Sequence, residues 1–482
     1  MKVLSVASEM HPVIKTGGLA DVTGALPGAL APYGVDVTTV LPAYGCLDET
    51  LLNGKPVATF EDVLGHKVQI TRHDGGGAPL LLVHEQSLFD RAGGPYVDDT
   101  GFDFVDNWRR FAVFSKAAAL IAAGGVAGFQ PDLMHVHDWQ AALAVTYLKN
   151  GPKAALPAVA TIHNIAFKGQ FGGDIFANLD LPARVWHDGE IEYYGDVSYL
   201  KAGLTAADAI TTVSPGYADE IQTPAFGMGF EGLMTARRSV LHGIVNGVDD
   251  AIWNPVSDHY LIARYDAKSL AERAANRAAV IQRFHLIDNG APLVVVISRL
   301  TPQKGIDILI QSLDELVGLG FAFAILGVGD PAYMNQLGDA ASRHPGRVAL
   351  IVGHDEILSH RMQGGGDMIL IPSRFEPCGL TQLYGMRYGC VPVVTATGGL
   401  GDTVIDASLA ATRAGVATGF HLKQAERGEL IRTMTRAMAL FRDRRRWQKI
   451  QQNGMKANVS WKASAADYSA LFKTLISRGK TA

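Results

Sequence analysis

Residues 367–395 read DMILIPSRFEPCGLTQLYGMRYGCVPVVT. The apolar run 367–373 reads as a strand buried on both faces, and VPVVT at 391–395 as another. Between them Pro377 and Gly379 fix a turn, and a helix starts just beyond it. Strand, turn, helix, strand is the unit from which parallel sheets with covered faces are built.

The same rhythm runs outward in both directions. PLVVVISR (292–299), FAFAIL (321–326) and RVALIV (347–352) precede the unit. In the first half KVLSVAS (2–8), VDVTTVL (35–41), DLMHVHD (132–138), AVATIH (158–163) and DAITTVS (208–214) are short β-branched runs. Amphipathic stretches, such as 105–123 and 140–149, lie between them. Region 60–84 differs: it alternates around HDGGGAP and predicts a hairpin excursion. HGIVNGVDDAIWNPVS (242–257) is rich in Gly, Asn, Asp and Pro and marks a domain junction. The expected division is a first domain over 1–244, a second over 245–456, and a last segment over 457–482.

Composition narrows the function. The 482 residues are enough for two large or three ordinary domains, and 48% hydrophobic content excludes disorder. Lys+Arg 43 against Asp+Glu 47 gives −4, so no basic surface points to nucleic acid or membrane. Cys46, Cys378 and Cys390 are too few and scattered for a disulfide framework or a zinc site, which fits a reducing cytoplasm. The N-terminal apolar run is too short for a signal peptide. The most apolar helical stretch, 111–129, carries Lys116 and several glycines and does not read as a membrane span. Glycine is in excess: 53 residues, against about 7% usually. The excess is aperiodic, which excludes collagen and places it at turns and close backbone approaches.

In open α/β sheets ligands bind beyond the carboxyl ends of the strands. After strand 2–8, Lys15, Gly17 and Gly18 stand before a helix from about Leu19. They read either as an anion site of bare amides beside a cation, or as a glycine loop with a surface lysine. After strand 292–298, Arg299 and Lys304 flank a strand-to-helix turn, the pattern of a phosphate clamp. After strand 367–373, Glu376 points into the cleft or caps the helix, whose free amides suit an anion or sugar hydroxyls. The P-loop spacing is absent, and Gly227–Gly232 fits G-x-G-x-x-G without a preceding strand. His135 and His137 share one strand face. With Asp138 and His163 they could be metal ligands, or simply a polar cleft face. Thr16–Leu19 with Asp21 is echoed by Thr397–Leu400 with Asp402, fitting two similar halves.

Taken together, these stretches resemble a known family. Lys15-Thr-Gly-Gly-Leu-Ala-Asp21, His137-Asp138-Trp139, Thr161-Ile-His163-Asn164, Val245-Asn246-Gly247, Ser298-Arg299-Leu300-Thr301 with Gln303-Lys304-Gly305, and Pro372 to Gln382 are similar to motifs of bacterial glycogen synthases and plant starch synthases. The likeness runs over nearly the whole chain, in order. It implies an α/β chain of GT-B fold, two Rossmann-like domains facing a deep cleft, with the last helix crossing back to the first domain. It implies retaining transfer of glucose from ADP-glucose to the non-reducing end of an α-1,4-glucan, with no cofactor. Under it, Arg299 and Lys304 bind the donor diphosphate. Glu376 holds glucose hydroxyls near the backbone of Cys378, Gly379, Leu380 and Thr381. His163 approaches the glucose, Asn246 contacts it, and Lys15, Gly18 and Asp21 serve the donor. Asp138 belongs to the acceptor side. Where relatives carry a tyrosine that stacks on adenine, this chain has His354, which covers less area. Tyr384 stands where many other retaining enzymes of the fold have a second glutamate.

The chemistry agrees with that assignment. Cleaving a sugar–phosphate bond leaves a diphosphate beside an oxocarbenium-like sugar, and fixed cations or a metal must hold the charge. Arg299 and Lys304 are a cation pair, and no Asp-x-Asp follows a strand, which favours a metal-independent route. No carboxylate stands out as a nucleophile, which favours front-face attack. Two rival readings are a sugar-binding regulatory homologue and a metal-dependent hydrolase using His135 and His137.

Overall fold

Eighteen strands form three sheets in the computed structural model, which describes residues 1–74 and 77–479. In the first half they are β1 (Lys2–Val6), β2 (Asp36–Pro42), β3 (Lys55–Val63), β4 (His66–His73), β5 (Leu80–His84), β6 (Leu133–His137) and β7 (Ala158–Ile162). Then follow β8 (Gln170–Phe171), β9 (Glu192–Tyr193), β10 (Asp196–Ser198), β11 (Ala209–Thr212) and β12 (Leu241–Gly243). The second half holds β13 (Leu293–Ile297), β14 (Ala322–Gly327), β15 (Val348–Val352), β16 (Met368–Ile371), β17 (Val391–Thr395) and β18 (Phe420–Leu422). The chain divides into two compact units, Met1–Asn246 with Trp461–Ala482, and Gly247–Ser460.

The first unit is built on a nine-stranded sheet in the order β12-β11-β7-β6-β1-β2-β5-β4-β3. It is parallel from β12 to β5, and β4 and β3 join antiparallel. The expected hairpin forms, with β4 and β5 paired antiparallel, and because β5 also pairs in parallel with β2 these strands extend the main sheet. The turn in HDGGGAP includes Gly75 and Gly76, which lie outside the described residues. One face of the sheet buries Val3, Val37, Leu133, Val159 and Ala209 against the helix Gly18–Leu30, through Val22, Leu26 and Leu30. The terminal helix, Trp461–Gly479, packs into that same core with Trp461, Ala465, Tyr468, Phe472 and Leu475. Those five positions recur at helical spacing, so one face of this helix is apolar.

The second unit holds a six-stranded, wholly parallel sheet in the order β15-β14-β13-β16-β17-β18. Alternate residues of one strand enter opposite cores. Val294 and Val296 of β13 face the helices Ile306–Gly318 and Arg427–Arg442, while Leu293 and Val295 face Arg273–Arg283 and Glu356–Gly365. Burial on both faces is why these strands are continuously apolar rather than alternating. Among the described residues no helix is long and apolar enough to cross a membrane. Gly227–Gly232 runs through turns into a short helix, Glu231–Ala236, with no strand before it.

Candidate active site

In the second unit the turns after β13 and β16 lie side by side, because those strands are neighbours. Lys304 Nζ is 2.5 Å from Glu376 Oε2, and Ser373 Oγ donates to the same oxygen at 3.1 Å. Glu376 is buried. It does not cap the next helix, Thr381–Tyr388, whose N-cap Leu380 makes no side-chain cap bond. Both contacts of the carboxylate, from Lys304 and Ser373, fall on Oε2.

The two turns are braced below the pair. Arg374 donates two 2.7 Å bonds to Asp307 and one of 2.6 Å to the Pro302 carbonyl, and its own amide donates to Gln303 O at 2.8 Å. Gln303 reaches the Phe375 carbonyl at 3.3 Å. Gly305 has φ +67°, and a Cβ there would lie 2.0 Å from Pro372 O. A side chain at Gly305 would push the turns apart. Gly399 is similar: its Cβ would meet the Cys378 carbonyl at 2.3 Å. These glycines are required by turn-on-turn packing, whereas a Cβ at Gly17 would meet nothing within 4 Å. Arg299 is exposed, and its guanidinium makes no ion pair among the described residues. Cys378 is buried, and Gln382 Nε2 donates to the carbonyls of Cys378 and Gly379 at 3.0 and 2.9 Å. This turns both carbonyls toward the helix. His354 is exposed after β15, beside Asp355, which caps the following helix.

In the first unit the loop after β1 is held by Glu9, a buried residue that sequence reasoning passed over. Its carboxylate accepts from the Thr16 amide (2.5 Å), the Thr16 hydroxyl (2.6 Å), the Gly17 amide (3.2 Å) and the Tyr96 hydroxyl. Tyr96 also contacts the Ser8 hydroxyl at 2.8 Å. Nothing local signals Tyr96, because its contact with Glu9 joins residues 87 apart in the chain. Lys15 Nζ lies 2.9 Å from Asp21 Oδ1, joining the loop to the first turn of helix Gly18–Leu30. Gly18 opens that helix and is exposed.

On β6 and just beyond β7 the histidines converge. His135 Nε2 meets Thr161 Oγ1 at 2.6 Å, and His137 meets His163 Nε2 at 3.0 Å through Nδ1 and Ser5 Oγ at 3.3 Å through Nε2. Burial holds His135 and His163 down to about 3, and His137 well below its ordinary value, so all three rings are neutral near pH 7. Asp138, with φ +55°, accepts the His163 amide at 2.7 Å; burial pushes its carboxyl up to about 7. Among the described residues no three His, Cys, Asp or Glu gather as a metal site. Asn246 is buried, and its Oδ1 finds no partner among the described residues.

Two doubly wound units, with a braced cation–carboxylate cluster at the carboxyl edge of the second sheet, define a two-domain glycosyltransferase of the GT-B class. Residues 2–236 match the family model described as starch synthase catalytic domain, and 279–454 match glycosyl transferases group 1. Glycogen synthase of Rhizobium rhizogenes is 52% identical over 479 residues, covering 99% of this chain and 100% of its own. That of Novosphingobium aromaticivorans is 53% identical over 479 residues, covering 99% of each. The catalytic domain of starch synthase IV from Arabidopsis thaliana, solved bound to ADP and acarbose, superposes with a TM-score of 0.87 at 29% identity, covering 98% of this chain and 99% of that one. The chain belongs to the glycogen synthase family. It is a glucosyltransferase of glycogen synthesis, and its substrates are a nucleotide sugar and a glucan.

Proposed function

We propose that the donor is ADP-glucose and that glucose passes, with retention of configuration, to the non-reducing end of an α-1,4-glucan, without a metal at the leaving group. The observation that carries this is the cluster at the edge of the second sheet. Arg299 offers an unspent guanidinium, and Lys304 stands between it in sequence and the buried Glu376. Arg299 and Lys304 take the diphosphate, so the charge of the departing ADP meets fixed cations that need no reorganisation. Glu376 accepts from glucose hydroxyls, and the backbone from Cys378 to Thr381 presents amides at a helix N-terminus.

The remaining roles follow the same chemistry. The buried, unpartnered Asn246 Oδ1 has an acceptor to give a sugar hydroxyl. His163, neutral, hydrogen-bonds the transferred glucose. Lys15, Gly18 and Asp21 serve the donor, His354 stacks on the adenine, and Asp138 belongs to the acceptor side. The first domain (1–244) supplies the acceptor side and the second (245–456) the nucleotide-sugar side, with 457–482 as the returning segment. The C1–O bond to the diphosphate breaks as the acceptor 4-hydroxyl attacks the same face. Its proton passes to the leaving phosphate oxygen. Cytoplasmic residence fits three free cysteines.

One incubation tests this: labelled ADP-glucose or UDP-glucose with glycogen, with and without chelator. Chelator-resistant incorporation from ADP-glucose into amylase-sensitive polymer is expected. Equal use of UDP-glucose would reject the donor assignment. Arg299→Ala is expected to lower the rate by ~10²–10³, and near-normal turnover would reject its role.

A further inference from the structure

We infer that His137 is a positioning residue for His163, fixing the orientation of its ring and which ring nitrogen carries the proton. The inference rests on His163 contacting the transferred glucose, as proposed above.

The geometry arises from strand register. β6 pairs with β7 so that His137 stands opposite Thr161, which brings His163, two residues on, over the His137 ring. The two rings are 5.3 Å apart at 35°, with His137 Nδ1 and His163 Nε2 3.0 Å apart. On its other side His137 Nε2 lies 3.3 Å from Ser5 Oγ of β1, the strand on the far side of β6. His137 is fully buried and cannot swing away. His135 lies 4.1 Å from it ring to ring. His135 is itself held by Thr161, whose hydroxyl meets Thr211 at 2.6 Å, and it packs on the rings of Tyr468 and Phe472.

Two neutral imidazoles joined by one hydrogen bond share one proton in that bond. Either His137 donates from Nδ1, and His163 carries its proton on Nδ1, or His163 donates from Nε2 and His137 donates to Ser5. In both cases the state of His163 Nδ1 is set by its neighbour. That nitrogen makes no hydrogen bond to a described residue. The adjacent Asp138 holds the His163 backbone amide at 2.7 Å. Consecutive residues at the end of β6 thus hold both the ring and the main chain of His163. The H-x-H pair that sequence offered as metal ligands serves here as a buried support.

Three substitutions and one control test this. Asn at 137 can place an amide where Nδ1 stood, Gln reaches the Nε2 side, and Phe fills the space with neither. H137F is expected to lower kcat ~10–100-fold, the scale of a misplaced reacting group, with KM for ADP-glucose changed less than about threefold. H137N is expected to restore kcat to within about fivefold, and H137Q is not. In ¹⁵N-histidine-labelled protein, the His163 ring nitrogens should report one tautomer in the native protein and in H137N, and a mixture in H137F. Native kcat with an unaltered His163 signal in H137F overturns the inference. Equal losses in H137N and H137F that track a common fall in melting temperature also overturn it. Normal turnover by H163A would overturn the underlying reading and this one with it. That failure is recognisable because the H137F spectrum still shows whether His137 governs the ring.

Discussion

Lys304→Met removes the cation from a carboxylate that has little access to water. The side chains of Lys304 and Glu376 are 17% and 10% exposed, and their charged atoms are 2.5 Å apart. At an effective dielectric constant near 20 the gross attraction is about 7 kcal/mol. Desolvating two ions takes back several kcal/mol each, so the net worth of the pair is small. Deleting one partner is a different matter. Glu376 would keep only the Ser373 hydroxyl, and a buried charge left alone costs about 3–5 kcal/mol. Glu376→Gln should cost less, about 1–3 kcal/mol, because Lys304 can move its ammonium toward water. The double variant should be more stable than the sum of the singles predicts, by at least about 2 kcal/mol. Urea unfolding of the four proteins at pH 7 measures the cycle. Losses that add to within about 0.5 kcal/mol would show that the ions do not interact, and would refute the reasoning. Glucosyl transfer separates stability from chemistry: the double variant should be folded yet nearly inactive.

Other outcomes follow from the same structure. Gly305→Ala should lose about 2–4 kcal/mol, the left-handed penalty plus overpacking, since its Cβ would sit 2.0 Å from Pro372 O; a melting temperature within a degree of native would contradict the packing argument. Phe472→Ala, in the terminal helix, should cost about 3–5 kcal/mol, read by thermal unfolding; an unchanged midpoint would mean that the helix contributes nothing to the first core. Stability should also fall as pH drops from about 6.5 toward 3. The unfolded chain takes up protons on His135, His137 and His163 that the folded protein refuses, at most about 1.4 kcal/mol per pH unit for each. Asp138, raised to about 7, opposes this, gaining stability as pH falls from about 7 toward its ordinary value. Replacing His135 by Gln should shallow the acid limb by one proton, and an unchanged slope would refute its buried, neutral state.

Much of the fold was legible because the information was local. The strand at 391–395 matches β17 residue for residue, and the other long apolar runs fall within one or two residues of their strands. Sheets buried on both faces demand such runs. The strands at 60–84 were harder to place. Alternation showed a hairpin, but only the pairing of β5 with β2 put it in the main sheet. The antiparallel ribbon β8-β10-β9 left no signal, since its strands are two or three residues long.

The candidate site divides the same way. Sequence alone determined which side chains stand at the carboxyl ends of strands: Lys15, His163, Arg299, Lys304 and Glu376 follow runs whose periodicity is written in a few neighbouring residues. Tertiary structure decided what those side chains do to one another. Lys304 and Glu376 are far apart in the chain, yet they form one ion pair because β13 and β16 are adjacent. Glu9 and Tyr96 brace the glycine loop, and His137 on β6 meets His163 beyond β7. A side chain's partner is set by which strands lie next to each other, and strand order is a property of the whole folded core, not of any local stretch of chain.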